Sequence, residues 1–331
     1  ENPELDYEQQ EQWVLPGPLG AHNWQAMSVD EEAGVVYIPA QDNPLIYGLS
    51  EDWKQSGIYK RNPGGWNTGL EFGRITQLVV DNIADQPTPK GYLKAFDPLT
   101  GKDKWVVEIP HYWNGGVLSS AGGLVFQGDA LGMLTAYDKD NGEALWQFNT
   151  YTSMLAPPIT YEIDGTQYVS ILTGTGGGDL FGGEPLPPVS EHASLTYNNY
   201  GRLLVFKVGG TEELPVPTVR DRTIPVQTNL TASNGQIAAG ERHYNNYCAV
   251  CHGLAVRSGG SIPDLRRMSE GTHTVFNQIV QDGLLAANGM AAFDDVVSDE
   301  DTTMIHHYVR ARAEQDRLAA AGEGGGQLTW Q

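Results

Sequence analysis

The sequence predicts an all-β propeller followed by a small all-α domain. Three observations carry this. A tryptophan-containing segment repeats once at blade spacing, turn formers are abundant (40 glycines and 19 prolines in 331 residues), and apolar periodicity changes from two to nearly four past residue 232.

The repeat is read first. Leu93-Lys94-Ala95-Phe96-Asp97-Pro98-Leu99-Thr100-Gly101 leads to Trp105, and Leu134-Thr135-Ala136-Tyr137-Asp138-Lys139-Asp140-Asn141-Gly142 leads to Trp146, 41 residues later. Each copy reads as a strand, an Asp-to-Gly turn and a second strand ending on the indole. A four-stranded blade cannot bury both faces alone, so Trp105 and Trp146 are read as packing residues between blades. Val35–Pro39 and Leu45–Tyr47 read as strands of an earlier blade. Tyr168–Leu172 and Arg202–Phe206 read as a later one. The count is about four blades over residues 1–208, half of a larger ring. Residues 51–72 form a long Trp-, Gly- and Asn-rich loop expected to shape an entrance. Residues 209–232, with Pro215, Pro217 and Pro225, read as a linker, and 319–331 as a flexible tail.

Residues 233–318 read as helical. Ile237, Gly240, Tyr244 and Tyr247 fall at helical spacing, and Ser298 with Asp301 forms a capping box for a last helix carrying Ile305, Tyr308 and Val309. Between these helices lies Cys248-Ala249-Val250-Cys251-His252. The C-x-x-C-H pattern is the attachment signature of a c-type haem. Cys248 and Cys251 are the only two cysteines, which disfavours a zinc site built on the pair. The segment is therefore read as a small cytochrome c domain, with thioethers at both cysteines and His252 on the iron. Among the downstream methionines, Met268 is too near in sequence and Met304 reads as core. Met290, in Asn288-Gly289-Met290-Ala291, is the expected second axial ligand. The Pro263 carbonyl is expected to accept from the free ring nitrogen of His252. His273, His306 and His307 are read as surface histidines.

Twenty basic against 41 acidic residues give a net charge of −21, which disfavours nucleic acid as a partner. No run of about 20 apolar residues predicts a membrane span. No leader is visible at Glu1-Asn2-Pro3, so a processed chain is expected. Haem attachment outside the cytoplasm places it in the periplasm.

A propeller half followed by a C-x-x-C-H domain resembles the PQQ-dependent quinohaemoprotein alcohol dehydrogenases, from about Ala21 to Arg312. The resemblance rests on His22-Asn23-Trp24-Gln25-Ala26-Met27-Ser28 with the following Gly34–Gln41, on Trp113-Asn114-Gly115-Gly116 with Ala121–Gly128, and on Gly174-Thr175-Gly176-Gly177-Gly178. It implies half of an eight-bladed propeller, pyrroloquinoline quinone (PQQ), a calcium ion and haem c. Asn23 and Trp24 would contact the PQQ edge, Trp113 would wall its pocket, and the backbone at Gly178 would approach it. The family's catalytic aspartate and calcium ligands lie in the N-terminal half, so no catalytic base or calcium ligand is assigned to this chain. The resemblance implies a second polypeptide carrying that half, an alcohol or aldehyde substrate, and a soluble electron acceptor. The rival reading is a propeller scaffold, or another electron-transfer protein, with an appended cytochrome and no dehydrogenase activity. A haem reductase of the cytochrome cd1 type would place its c-type domain before the propeller.

Overall fold

The computed structural model describes residues 6–63, 67–175 and 192–322. In the first half, the strands are β1 (Gln12–Val14), β2 (Ser28–Asp30), β3 (Val35–Asp42), β4 (Leu45–Tyr47), β5 (Lys90–Asp97), β6 (Lys102–Ile109) and β7 (Val117–Ser119). They continue as β8 (Leu124–Gly128), β9 (Met133–Asp138), β10 (Ala144–Asn149), β11 (Ile159–Ile163), β12 (Thr166–Thr173) and β13 (Arg202–Lys207). Helices α1 (Glu51–Ser56), α2 (Ile75–Asp81) and α3 (Ala193–Thr196) interrupt them. The helical domain holds α4 (Asn234–Tyr247), α5 (Ala249–His252), α6 (Glu270–Thr274), α7 (Phe276–Val280) and α8 (Asp299–Ala320).

The repeated Asp-to-Gly segment explains the two complete blades. In β5–β6, the Asp97 carboxylate accepts from the Leu99 and Thr100 amides (2.9 and 3.2 Å), and Gly101 takes φ +68°. In β9–β10, Asp138 accepts from Asp140 and Asn141 (2.8 and 3.3 Å), and Gly142 takes φ +77°. The Asp side chain stands in for a backbone acceptor, and glycine supplies the left-handed residue that closes the turn. The tryptophans then join neighbours. Trp105 Nε1 donates to the Lys139 carbonyl in the next blade's turn (3.0 Å), and its ring lies so close to Gly142 that any side chain there would strike it. Trp146 stacks edge-on against Phe206 of β13 with centroids 5.4 Å apart. Both indoles are packing residues, as the repeat predicts.

The blade inventory differs from the sequence expectation. Sheets β2-β3-β5-β6 and β7-β8-β9-β10 have four strands, β11-β12-β13 has three, and β1 pairs only with β4. Val35–Pro39 belongs to the same sheet as the first repeat, because β3 pairs with β5 from Val36–Phe96 to Asp42–Lys90. Residues 43–89 are an insertion inside that blade, not an earlier blade. The described chain thus holds three stacked sheets and a ribbon, with cores between them at Tyr37, Leu93, Ala95 and Val125, and at Leu134, Met154 and Ile171.

Among the described residues, nothing covers the outer faces at the two ends of the stack. On β11-β12-β13, Ile159, Ile163, Leu172, Leu203 and Val205 share one face by register and are exposed. At the other end, Val29 of β2 and Val106 of β6 are exposed.

Residues 209–232 form no helix or strand; the Arg220 amide donates to the Thr196 carbonyl (2.9 Å) and the Gln227 amide to Glu314 (3.2 Å). The helical domain begins at a capping box: Ser233 and Gln236 bond reciprocally around the first turn of α4. Ser298 and Asp301 do the same for α8. Helices α4 and α8 cross where Gly240 meets the Met304 backbone carbonyl, and Tyr244 stacks on Tyr308 with centroids 5.3 Å apart. A side chain at 240 would drive the helices apart. Overpacking of this kind costs about 1–3 kcal/mol. Gly240→Ala is expected to lower the unfolding free energy of the helical domain by at least that much, read from denaturant midpoints followed by far-ultraviolet circular dichroism.

Candidate functional site

The C-x-x-C-H motif sits where α4 hands over to α5. The His252 and Cys251 amides both donate to the Cys248 carbonyl (2.9 and 3.1 Å), so the three side chains leave one tight turn. The two cysteines form no disulfide with each other; Cys248 is half-buried and Cys251 exposed. The His252 ring is buried and its Nδ1–H donates to the Pro263 carbonyl (3.0 Å), which frees Nε2. Burial lowers the His252 pKa, so the ring stays neutral and fit to bind a metal. Met290 is half-buried and packs on the same core as Val256, Met268, Phe276 and Leu265. Among the described residues there is no group of three His, Cys, Asp or Glu placed to hold a metal ion.

The turn after the motif is strained. Ala255 and the β-branched Val256 take φ +55° and +64° beyond Gly253 at +78°. The strain is held by Tyr244, whose hydroxyl donates to the Gly253 carbonyl (2.8 Å), and by Arg312, whose Nε donates to the Ala255 carbonyl (3.2 Å). Arg312 belongs to a buried ion cluster. Asp316 pairs with Arg257 (3.2 Å), Arg266 (2.7 Å) and Arg312, while Asp264 pairs with Arg266 (2.8 Å) and Arg267 (3.5 Å). Four arginines face two aspartates beside His252, an excess of positive charge. The sequence gives no spacing signal for this cluster.

Two histidine expectations are corrected. His273 is buried, and its Nδ1 bonds His306 Nε2 (2.8 Å). His306 stacks flat on Phe276 with centroids 4.4 Å apart, and burial pushes its pKa down to about 4. They fill the seam between α8 and α6–α7. His307 is half-buried. Met268 lies in the core, whereas Met304, expected there, is half-buried and presents its carbonyl to Gly240.

In the sheet half, the structure brings Trp24 and Trp113 together edge to face with centroids 6.1 Å apart. Trp113 is buried and Trp24 is 54% exposed. Asn23 is exposed beside them: its Oδ1 accepts from the Trp24 amide and its Nδ2 donates to the Leu19 carbonyl (both 2.9 Å). Gly178 lies outside the described residues. Behind Trp113 is a small cavity lined by His111, Ala130, Ser153, Leu155, Thr175 and His192. The Trp113 amide donates to His111 Nδ1 (3.0 Å), and no hydrogen bond reaches the buried Nε2 of His111. His192 lies edge-on to it at 5.3 Å, and burial first, then His192, drives the His111 pKa down to about 3. His111 was missed by the sequence reading, although it stands two residues before Trp113. His192 joins it from beyond the glycine run, which no local signal marks.

The two sites are bridged. The Ser194 amide donates to Ser153 Oγ at the cavity (3.2 Å), and the Ser194 carbonyl meets Gly260, three residues from Pro263. The insertion secures the same approach. Thr76 Oγ1 donates to Asn245 Oδ1 (3.1 Å), Asn245 Nδ2 to the Gly73 carbonyl (3.0 Å), and Tyr247 to Asn62 (2.6 Å). The segment expected to be an entrance loop holds α1 and leans on the helix that ends at Cys248.

Comparison with known proteins follows this division. A profile described as the β-propeller domain of glucose/ethanol/alcohol dehydrogenases matches residues 106–169, and one described as cbb3-type cytochrome c oxidase subunit III matches 235–309. The chain is 40% identical to quinohemoprotein alcohol dehydrogenase ADH IIB of Pseudomonas putida over 96% of its own length and 44% of that protein's. The chain is a homologue of the quinohemoprotein alcohol dehydrogenases. Lupanine 17-hydroxylase [cytochrome c] of a Pseudomonas species is 34% identical over 90% of this chain and 40% of its own. The solved structure of ADH IIG from Pseudomonas putida superposes with TM-score 0.77 at 33% identity, over 95% of this chain and 44% of that one. The chain thus spans less than half the length of these relatives. Among the described residues, no helix is long and apolar enough to cross a membrane.

A histidine neutral in the fold yet protonatable once unfolded makes stability fall as pH drops below about 6.5, the ordinary histidine value. The near-ultraviolet signal of the folded tryptophans is expected to be lost at progressively lower denaturant between pH 6.5 and 4. His111→Gln is expected to flatten that dependence, as measured by denaturation at a series of pH values.

Proposed function

We propose that this chain forms one side of a periplasmic PQQ-dependent alcohol dehydrogenase and carries its electron outlet, a covalently bound haem c. The observation that carries this reading is the juxtaposition of the C-x-x-C-H turn with the Trp24–Trp113 wall, through Ser194 and Gly260. When bound, the quinone would supply a hydride acceptor for an alcohol or aldehyde carbon, and the haem a one-electron carrier.

The chain's own residues would act as follows. Cys248 and Cys251 would add their S–H bonds across the two haem vinyl groups. His252, its tautomer fixed by Pro263, would hold one face of the iron with Nε2, and Met290 the other. Arg257 and Arg267, the more accessible members of the arginine cluster, would suit carboxylate groups of the haem. On the sheet side, Trp113, pinned by His111, would present a rigid apolar wall, with Trp24 and Asn23 at the cofactor's edge. The backbone at Gly178 is proposed as a further contact.

The chain offers no calcium ligand set and no catalytic base in this reading. Both are proposed to come from the N-terminal half of the propeller, as a second polypeptide or cleaved segment seated on the open apolar faces of β11-β12-β13 and β2-β3-β5-β6. The full ring would then have eight blades, and a soluble acceptor would take the electrons.

Mass spectrometry of the purified protein is expected to show one haem retained after denaturation, and Cys251→Ala is expected to weaken that attachment. Met290→Ala is expected to keep the haem but lower its potential and remove the sulfur-to-iron absorption band. Trp113→Ala in the assembled enzyme is expected to weaken PQQ binding tenfold or more in a fluorescence titration. Unchanged binding would favour a scaffold role.

A further inference from the structure

We propose that Glu241 couples a proton to the electron that leaves through the haem. Its carboxyl releases a proton to water when the iron is oxidised and recovers one when the iron is reduced. This rests on the haem c reading above.

Glu241 lies on α4, seven residues before Cys248. It is only 7% exposed, and no hydrogen-bond donor reaches its Oε1. The charged groups that face it are Arg242 on its own helix, Arg312 on α8 and Arg74 in the turn leading into α2, with the Tyr308 hydroxyl also close. Arg312 is committed elsewhere, to the Ala255 carbonyl, Gln315 and Asp316. Tyr308 and Tyr244 are buried phenols held far above the physiological range. His243, the next titratable group along α4, turns to Asp301 (3.1 Å). Glu241 is thus a carboxyl in a seam between the helical domain and the insertion, close to cations but bonded to none of them.

Its environment favours the proton. Burial is the largest influence and pushes its pKa up to about 7, against the pull of the three arginines. At about 1.5 Å of rise per residue, its Cα stands roughly 10 Å along α4 from that of Cys248. A unit charge gained by a haem tethered at Cys248 acts on this carboxyl through protein interior, where Coulomb interactions are stronger than in water. Oxidation of iron(II) to iron(III) adds that charge, stabilises the carboxylate and lowers the Glu241 pKa. One electron passes to a one-electron acceptor, the Glu241 O–H bond breaks, and the proton leaves by the exposed edge of the carboxyl. Between the ferric and ferrous pKa values, the haem potential therefore falls as pH rises.

The test is a spectroelectrochemical titration of the haem-loaded protein from about pH 5.5 to 8.5, with wild type and Glu241→Gln. The wild-type midpoint is expected to fall through neutrality, and the variant, with an unaltered haem spectrum, to lose most of that slope. A flat wild-type profile overturns the proposal. So does a slope that persists in Glu241→Gln, which would assign the proton to the haem carboxylates or a histidine. Should the variant fail to fold, the redox-difference infrared spectrum of the wild type decides: loss of a protonated-carboxyl stretch on oxidation at neutral pH supports the coupling, and its absence overturns it. A protein without covalent haem fails the functional reading itself, whereas a haem with a pH-independent potential fails this inference alone.

Discussion

The arrangement depends on one backbone-to-backbone contact. Gly260 meets the Ser194 carbonyl with φ +110° and no side chain between them. The residue must be glycine on both counts, and the closeness brings the His252–Pro263 shelf down onto the sheet end that holds Ser153, His111 and Trp113. The insertion of residues 43–89 supports this contact from the other side. Leu254 joins the cluster of Ile46, Ile75, Leu78 and Val79, and Asn245 is locked to Gly73 and Thr76.

Much of this was legible in the sequence because it is local. The C-x-x-C-H turn, the capping boxes at Ser233 and Ser298, and the Asp97 and Asp138 turns are each written within a few residues. The Pro263 acceptor lies eleven residues from His252 and was equally readable. What escaped is non-local. β3 finds its partner β5 only after an excursion of nearly fifty residues, so Val35–Pro39 looked like a blade of its own. His192 and Glu241 are polar residues whose burial is decided by distant elements. His273 and His306, exposed by any count of polarity, are drawn inside by stacking on Phe276.

One buried set of charges in the helical domain lies beside the C-x-x-C-H motif. Arg257, Arg266 and Arg312 converge on Asp316, and Arg312 also props the left-handed Ala255. Removing one member of such a buried set strands the others, which usually costs more than the pair contributes. Arg312 thus has three duties: it supports a strained turn, it balances Asp316, and it sets the field felt by Glu241.

The naked greasy flank of the third sheet also bears on how the molecule is made. Ile159, Ile163, Leu172, Leu203 and Val205 form a hydrophobic panel ending, among the described residues, at the edge strand β13, a template for indiscriminate sticking. Whatever covers this panel in the assembled protein would compete, during folding, with self-association through it.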